Sequence, residues 1–135
     1  MDIVIDFDGT CVTHAYPKVG ADIGAAPVLR DLVSMGHRLV LFTMRSNTYT
    51  GPYAHKEGLT EAVEWFEKEG IELFGVQTNP EQSTWTISPK AYGKLIIDDA
   101  ALGIPLITNT SVSKRPYVNW TEVRQMLVRR GLLDF

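Results

Sequence analysis

Short apolar runs alternate with amphipathic helical patterns along this chain of 135 residues. The runs of strand length lie at Ile3 to Phe7, Arg38 to Phe42, Ile71 to Val76, Leu95 to Ile97 and Ile104 to Ile107. Continuous apolar runs of this length are typical of strands that are buried on both faces of a parallel sheet. The third run is weaker than the first two, and the fifth is short.

Three further segments have apolar residues at helical spacing. These residues are Val28, Leu29, Leu32 and Val33 between Pro27 and Gly36; Leu59, Ala62, Val63 and Phe66 before Gly70; and Trp120, Val123, Met126 and Leu127 within Asn119 to Arg130, before Gly131. Strands that alternate with helices favour an α/β sandwich around a mostly parallel sheet. The length fits one domain, residues 1–135.

Polar residues follow several of the predicted strands. Asp6 and Asp8 lie at the end of the first run, Thr43 follows the second, and Asp98 and Asp99 follow the fourth. In open α/β sheets, ligands bind at the carboxyl ends of the strands. We therefore expect these side chains to converge at one edge of the sheet.

Four acids around one crevice require a cation. Carboxylates that are held close together repel each other, and a pKa among them rises unless positive charge neutralises them. Oxygen ligands without a nearby His or Cys cluster favour Mg²⁺, which is usually bound by one or two carboxylates together with substrate phosphate. Asp6, Asp8, Asp98 and Asp99 are therefore the predicted ligands of Mg²⁺.

Residues suited to an anion lie beside these acids. Gly9 allows a sharp turn whose backbone N–H groups can face an anion, and Thr43 offers a hydroxyl group. Arg45, Lys90 and Lys94 offer positive charge. Acids, a metal ion and cations together are what phosphoryl transfer requires, since its catalysis consists largely of positioning and charge neutralisation.

The order of these motifs resembles that of the haloacid dehalogenase-like (HAD) hydrolases. The matching residues are DFDGT (Asp6 to Thr10), LFT ending in Thr43, Lys90, and IIDD ending in Asp98 and Asp99. Four motifs in order at strand ends are a stronger signal than one alone. The resemblance implies a Rossmann-like three-layer sandwich with about five strands in the order 5-4-1-2-3.

The likeness extends over nearly the whole chain to small capless members of this superfamily whose substrate is unassigned. The residues that carry it are Thr43-Met44-Arg45, Ala62-Val63-Glu64-Trp65, Asn79-Pro80 and Ser88-Pro89-Lys90. The segment from Cys11 to Gly24 is too short for a folded cap. A site without a cap is open, which suits a bulky substrate or closure by a second copy in a homo-oligomer.

The resemblance also implies roles for the residues. Asp6 would be the nucleophile and Asp8 the general acid and base, with its backbone carbonyl on the metal. Asp98 would complete the Mg²⁺ shell, and Asp99 would support it as a direct or an outer ligand. The implied phosphate and substrate contacts are Gly9, Thr10, Thr43, Arg45 and Lys90. Motif order favours Lys90 over Lys94 as the family's lysine.

Charge and composition limit the partners. The net charge of −3 gives no attraction to nucleic acid or to anionic lipid, so neither is expected as a partner. Cys11 is the one cysteine, and the N-terminus lacks a signal-peptide pattern, which together predict a cytoplasmic location. The expected substrate is a phosphoester, either a small molecule or a macromolecule.

Other functions and residues were weighed against this prediction. A binding module that retains the fold without turnover is the main alternative, and haloacid dehalogenation stays open on motif grounds. A phosphoacceptor signalling domain ranks low, because its acceptor Asp should end a middle strand, and here the middle strands end in Thr43 and near Gln77. His14 is interpreted as an ordinary loop residue, with contact to substrate as the alternative, and Lys114 and Arg115 are interpreted as a short solvated basic loop.

Overall fold

The structure is a computed structural model that describes residues 1–48, 50–52 and 56–135. Its elements follow one another in the order β1 (Asp2–Ile5), α1 (Ala25–Ser34), β2 (Arg38–Leu41), α2 (Gly58–Lys68), β3 (Gly75–Val76), a 3-10 turn (Gln82–Thr84), β4 (Leu95–Ile97), β5 (Leu106–Ile107), β6 (Tyr117–Val118) and α3 (Trp120–Arg129). The predicted α/β architecture is confirmed. Within this part of the chain, no helix is long and apolar enough to cross a membrane.

The central sheet is parallel and four-stranded, in the order β3-β2-β1-β4. Ile5 lies opposite both Leu41 of β2 and Ile97 of β4, so the three central strands end at the same level. The backbone N–H of Asp6 continues this ladder by donating to the carbonyl of Ile97 at 3.0 Å. The residues that follow β1 and β4 are therefore held side by side at one edge of the sheet.

One face of the sheet carries the main core. Ile3, Ile5, Leu39, Leu41 and Ile97 point to this face, because alternate side chains of a strand lie on the same side. The buried residues of all three helices join the same cluster, including Leu29 and Leu32 of α1, Ala62 and Phe66 of α2, and Val123 and Leu127 of α3.

The opposite face is covered without an α-helix in the described residues. Val4 and Val40 pack there against Ala91 and Phe74, which belong to the segment around β3 and β4. That segment contains Pro80 and Pro89 and forms a single 3-10 turn. The third layer of the predicted sandwich thus consists of loop rather than α-helix, because this stretch lacks a helical apolar pattern.

The predicted order 5-4-1-2-3 is observed only for the strands 4-1-2-3. β5 does not extend this sheet beside β4 and instead pairs antiparallel with β6, with Leu106 opposite Val118. A loop of residues 108–116 connects the two strands. A fifth parallel strand would need a crossover connection, usually a helix, whereas an antiparallel hairpin needs only a loop. We call β5, residues 108–116 and β6 the C-terminal hairpin.

Two hydrogen bonds attach the chain after this hairpin loop to the segment that follows β1. The N–H of Val118 donates to the carbonyl of Gly9 at 3.0 Å, and the indole N–H of Trp120 donates to the carbonyl of Thr10 at 2.7 Å. Both Trp120 and Thr10 are buried. The start of α3 is therefore fixed to the loop that carries Asp6 and Asp8.

We predict that Trp120→Phe destabilises the protein beyond the loss of ring volume. The change leaves the buried carbonyl of Thr10 without its donor, and an unsatisfied buried group of this kind costs about 1–3 kcal/mol. The free energy of unfolding from urea titration measures the effect. Trp65→Phe is the matched control, since the indole N–H of Trp65 has no hydrogen-bond partner among the described residues. An equal loss in both variants would contradict the prediction.

Candidate active site

The loop after β1 is a compact turn built around glycine. Gly9 has a φ of +81°, a conformation that residues with a side chain rarely adopt. A Cβ atom at this position would also overlap the imidazole ring of His14. The N–H groups of Gly9 and Thr10 donate to the carbonyls of Val12 and Phe7 at 2.7 and 3.1 Å. These two N–H groups are thus used inside the turn rather than left free to face an anion.

Three of the predicted acids meet at the end of β1 and β4. One carboxylate oxygen each of Asp6, Asp98 and Asp99 lies within 4.8 Å of the others. The parallel register explains this convergence, because Ile5 and Ile97, which precede Asp6 and Asp98, lie opposite each other. The donor set consists of oxygen atoms alone, which are the ligands of hard cations.

The pKa of Asp6 reflects this crowding. Burial of the carboxyl group and its hydrogen bond with Asp99 raise the pKa of Asp6 to about 8, with a further contribution from the charge of Asp98. The hydroxyl of Thr10 acts in the opposite direction, since it donates to Oδ2 of Asp6 at 2.8 Å. Without a bound cation, Asp6 therefore retains a proton at neutral pH.

Thr10 connects the two acidic segments. Its Oγ1 donates to Asp6 and accepts the backbone N–H of Asp99 at 2.9 Å. The residue is fully buried, and both hydrogen-bonding capacities of the hydroxyl are used within the protein. Thr10 was expected to contact substrate, but its position instead makes it a support that holds Asp6 and Asp99 in place.

Asp8 is paired with Arg45 rather than with the other acids. Nε and Nη2 of Arg45 donate to the two carboxylate oxygens of Asp8 at 2.8 and 2.9 Å. The Arg45 side chain is 1% exposed and also donates to the carbonyl of Lys18 at 2.8 Å. Its guanidinium lies over the rings of Phe7 and Tyr16. Arg45 was expected to contact substrate, but it is buried and orients Asp8.

Thr43 lies beyond β2, as predicted, and shapes the chain toward Arg45. Its Oγ1 accepts the N–H of Arg45 at 3.1 Å. The side-chain amide of Gln77 pairs with the backbone of Thr43, accepting its N–H at 2.8 Å and donating to its carbonyl at 2.7 Å. Thr43 does not line the cleft that contains the acids. Its observed contacts support Arg45, and the structure does not bring Thr43 to the cleft, where it was expected to contact phosphate.

Neither predicted lysine lies at the acidic cleft. The N–H of Lys94 donates to the carbonyl of Asp2 at the start of β1, which is the opposite edge of the sheet. Lys90 belongs to the segment bound by Gln82, whose Nε2 donates to the Lys90 carbonyl at 3.0 Å. The physical reason is that a residue just before a parallel strand lies at its N-terminal edge, whereas the acids follow the strands. The structure therefore does not bring Lys90 into the lining of the cleft beside Asp6.

The acids open into a cleft of about 410 Å³. Its lining residues are Asp6, Asp8, Asp98, Asp99 and Ala100, together with His14, Tyr16, Met44, Arg45 and Arg115. Nε2 of His14 lies 2.9 Å from Oδ2 of Asp99. The sequence predicted a solvated loop position for Arg115, and for His14 an ordinary loop position with substrate contact as the alternative. No spacing rule could have identified them, since irregular loops bring them to the cleft.

Asp98 and Asp99 differ in the partners of their carboxylates. Asp98 Oδ1 accepts the N–H of Ala100 at 2.8 Å. Asp99 interacts with His14 through Oδ2 and with Thr10 through Oδ1, at 2.9 and 3.3 Å. Asp98 therefore has the less occupied carboxylate and is the better placed of the two to bind a cation directly.

Comparison with known proteins supports the fold. No family model matches the sequence, and a search of curated proteins finds no match. A solved structure of a conserved protein from Bacteroides thetaiotaomicron superimposes with a TM-score of 0.71 at 32% sequence identity. The alignment covers 96% of this chain and 91% of that one. At this identity over nearly the whole of both proteins, the chain belongs to the same family as the conserved Bacteroides protein.

Proposed function

We propose that this protein is a Mg²⁺-dependent phosphomonoesterase of the HAD superfamily that acts through an aspartyl-phosphate. The observation that carries the proposal is the meeting of Asp6, Asp98 and Asp99 at the carboxyl ends of two adjacent parallel strands. Asp8 lies two residues beyond Asp6 in the same cleft. The free, buried thiol of Cys11 suits a reducing compartment, and we place the enzyme in the cytoplasm.

The chain's own residues fit a magnesium ion. Asp6 and Asp98 would hold it, and Asp99 would join them or orient them from the adjacent position. Their oxygen atoms match the preference of Mg²⁺, and the raised pKa of Asp6 marks negative charge that a cation would offset. When bound, the ion neutralises charge on the carboxylates and on the substrate's phosphate.

The chemical steps require an ionised nucleophile and a proton donor. Asp6 attacks phosphorus, the bond from phosphorus to the ester oxygen breaks, and Asp8 protonates the departing alcohol. Asp8 then takes a proton from water as that water attacks the aspartyl-phosphate, which releases inorganic phosphate and restores Asp6. Arg45 determines where Asp8 can reach, because it holds both carboxylate oxygens.

That same ion pair favours a second candidate function. A general acid must present a free O–H to the leaving group, and both oxygens of Asp8 are engaged by Arg45. Lys90 is also absent from the cleft lining. An occupied Asp8 carboxylate and a cleft without Lys90 are features expected of a module that binds a phosphate ligand without turnover. We rank it second, because the motifs around Asp6, Thr43 and Asp98 occur in the order that the HAD hydrolases have.

Hydrolysis of an aryl phosphate tests the main proposal. We expect turnover with Mg²⁺, loss of activity with EDTA, and a fall to background in Asp6→Asn, because an amide is a poor nucleophile toward phosphorus. Asp134→Asn is the matched control, since Asp134 is an exposed acid near the C-terminus. Activity that persists in EDTA and in Asp6→Asn would exclude the mechanism.

The role of Asp8 has a separate kinetic test. If Asp8 donates the proton, Asp8→Asn should lower kcat by about 10²–10⁴-fold, the usual contribution of a general acid. The loss should shrink for esters whose alcohol is a strong acid, because such leaving groups need no proton. A uniform loss across good and poor leaving groups would point to a structural effect of the broken pair with Arg45 instead.

The pKa of Asp6 predicts how stability depends on pH in the metal-free protein. Because the pKa of Asp6 is about 8 in the folded protein and the ordinary pKa of an aspartate is 3.8, the folded state binds a proton that the unfolded state releases between those values. The free energy of unfolding should therefore fall as pH rises through this window, by at most about 1.4 kcal/mol per pH unit from this group.

Urea titrations in EDTA across this window measure the slope. Asp6→Asn should remove this contribution, while Asp134→Asn should retain it. Added Mg²⁺ should restore stability at the upper end of the window, since a ligand that binds only the folded state stabilises it. An identical slope in wild type and Asp6→Asn would show that Asp6 is not the group that titrates.

A further inference from the structure

The cleft is not lined by Lys90, the positively charged side chain that the motifs predicted beside Asp6. A phosphate dianion that approaches Asp6 meets Asp98 and Asp99, which repel it. The family resemblance assigns the opposing charge to Lys90, but Lys90 and Lys94 do not line this cleft. Arg45 is already bound to Asp8. The phosphate therefore needs positive charge from another part of the chain.

Arg115 is the remaining cationic side chain among the described residues that line the cleft. His14 contacts Asp99, and Arg45 is buried against Asp8, whereas Arg115 is exposed and has no hydrogen bond or ion pair within the described part of the chain. Its guanidinium is thus free to bind a ligand. An arginine without a partner beside three clustered carboxylates is unusual, because one of them would normally pair with it.

The backbone at Arg115 is held in place relative to the catalytic loop. Pro116 follows it directly, which restricts Arg115 to an extended conformation. Three residues after Arg115, the N–H of Val118 donates to the carbonyl of Gly9. At the other end of the hairpin loop, the carbonyl of Asn109 accepts the N–H groups of Val112 and Ser113, each at 3.0 Å. The side chain is exposed, and its point of attachment is held close to Gly9, the residue that follows Asp8.

We propose that Arg115, from the C-terminal hairpin, binds the phosphoryl group of the substrate in place of the family's lysine. The inference rests on the proposed phosphatase function and adds a substrate-binding residue to it. A guanidinium can donate two parallel N–H groups to two phosphate oxygens, which fixes orientation as well as charge. Arg45 is occupied by Asp8, so the positive charge left for the phosphoryl group comes from one divalent cation and Arg115.

The consequence is a site divided between the two ends of the chain. The nucleophile comes from the loop after β1, and the phosphate clamp comes from residues 108–116. Because Arg115 is exposed and unpaired before the substrate arrives, its ordering accompanies binding. We therefore expect its loss to raise KM and to weaken binding of inorganic phosphate more than it lowers kcat.

The test compares Arg115→Ala with Lys114→Ala in the full-length protein. Lys114 is the adjacent exposed cation and does not line the cleft. Lys114→Ala therefore controls for the effect of removing one positive charge from this loop. Isothermal titration calorimetry with inorganic phosphate in the presence of Mg²⁺ measures binding without turnover. Arg115→Ala should weaken phosphate binding by about tenfold or more, as expected for a charge-assisted bidentate contact. Lys114→Ala should stay within about twofold of wild type, as for an exposed charge.

Arg115→Lys should recover part of the affinity, because it restores the charge without the two parallel donors. Urea titration should give wild-type stability for all three variants, since Arg115 and Lys114 are exposed and make no hydrogen bond or ion pair with the residues that the structure describes. The proposal is overturned if Arg115→Ala binds phosphate as wild type does, if Lys114→Ala loses as much, or if wild type binds no phosphate.

These outcomes separate this inference from the proposed function. Phosphate binding that depends on Arg115, in a wild-type protein that hydrolyses no ester, would support the arginine and reject the phosphatase. Hydrolysis that depends on Asp6 but not on Arg115 would do the reverse. With aryl phosphate as substrate, the ratio of the changes in KM and kcat then shows whether Arg115 acts mainly in binding.

Discussion

Crowding of the acidic groups of Asp6, Asp98 and Asp99 is the constraint on which the site depends. Within 4.8 Å of one another these groups would separate in a flexible chain, and without a cation Asp6 keeps a proton that reduces their repulsion. The parallel register of β1 and β4 prevents that separation, because it aligns the strand ends from which the acids project. Thr10 adds a buried hydroxyl between the two segments. The energy of the sheet and its core thus maintains an arrangement that is unfavourable on its own.

The charges of the cleft are organised by burial. Arg45 is almost completely buried and serves one acid, so the Asp8–Arg45 pair is part of the scaffold. Arg115 is exposed and serves none of them, so its charge is available to a ligand. Loss of a buried, paired arginine such as Arg45 destabilises the fold and changes the geometry of the site. Loss of an exposed, unpaired arginine such as Arg115 leaves the fold intact, and under our proposal it changes the affinity for phosphate. This difference could not be read from residue type alone.

Local patterns predicted the parallel sheet, because continuous apolar runs and the alternation with helices constrain the topology. The fifth strand was misplaced because its partner, Tyr117–Val118, is two residues long and has no periodic signal. Strand ends located the acids correctly, since chain direction determines which edge they reach. The same rule places Lys94 at the opposite end of the sheet, because Lys94 precedes a strand. Motif order alone predicted Lys90 at the cleft, and the structure does not bring it there. Arg115 reaches the cleft through an irregular loop, whose path no periodicity encodes.

The bond between Trp120 and the carbonyl of Thr10 joins residues 110 positions apart along the chain. Asp99 and Thr10 are likewise separated by 89 positions. During synthesis on the ribosome, the loop after β1 therefore emerges long before the groups that order it. Contacts of such high sequence separation form late in folding and slow it. Asp6 therefore cannot reach its position beside Asp98 and Asp99 until nearly the entire polypeptide has been translated.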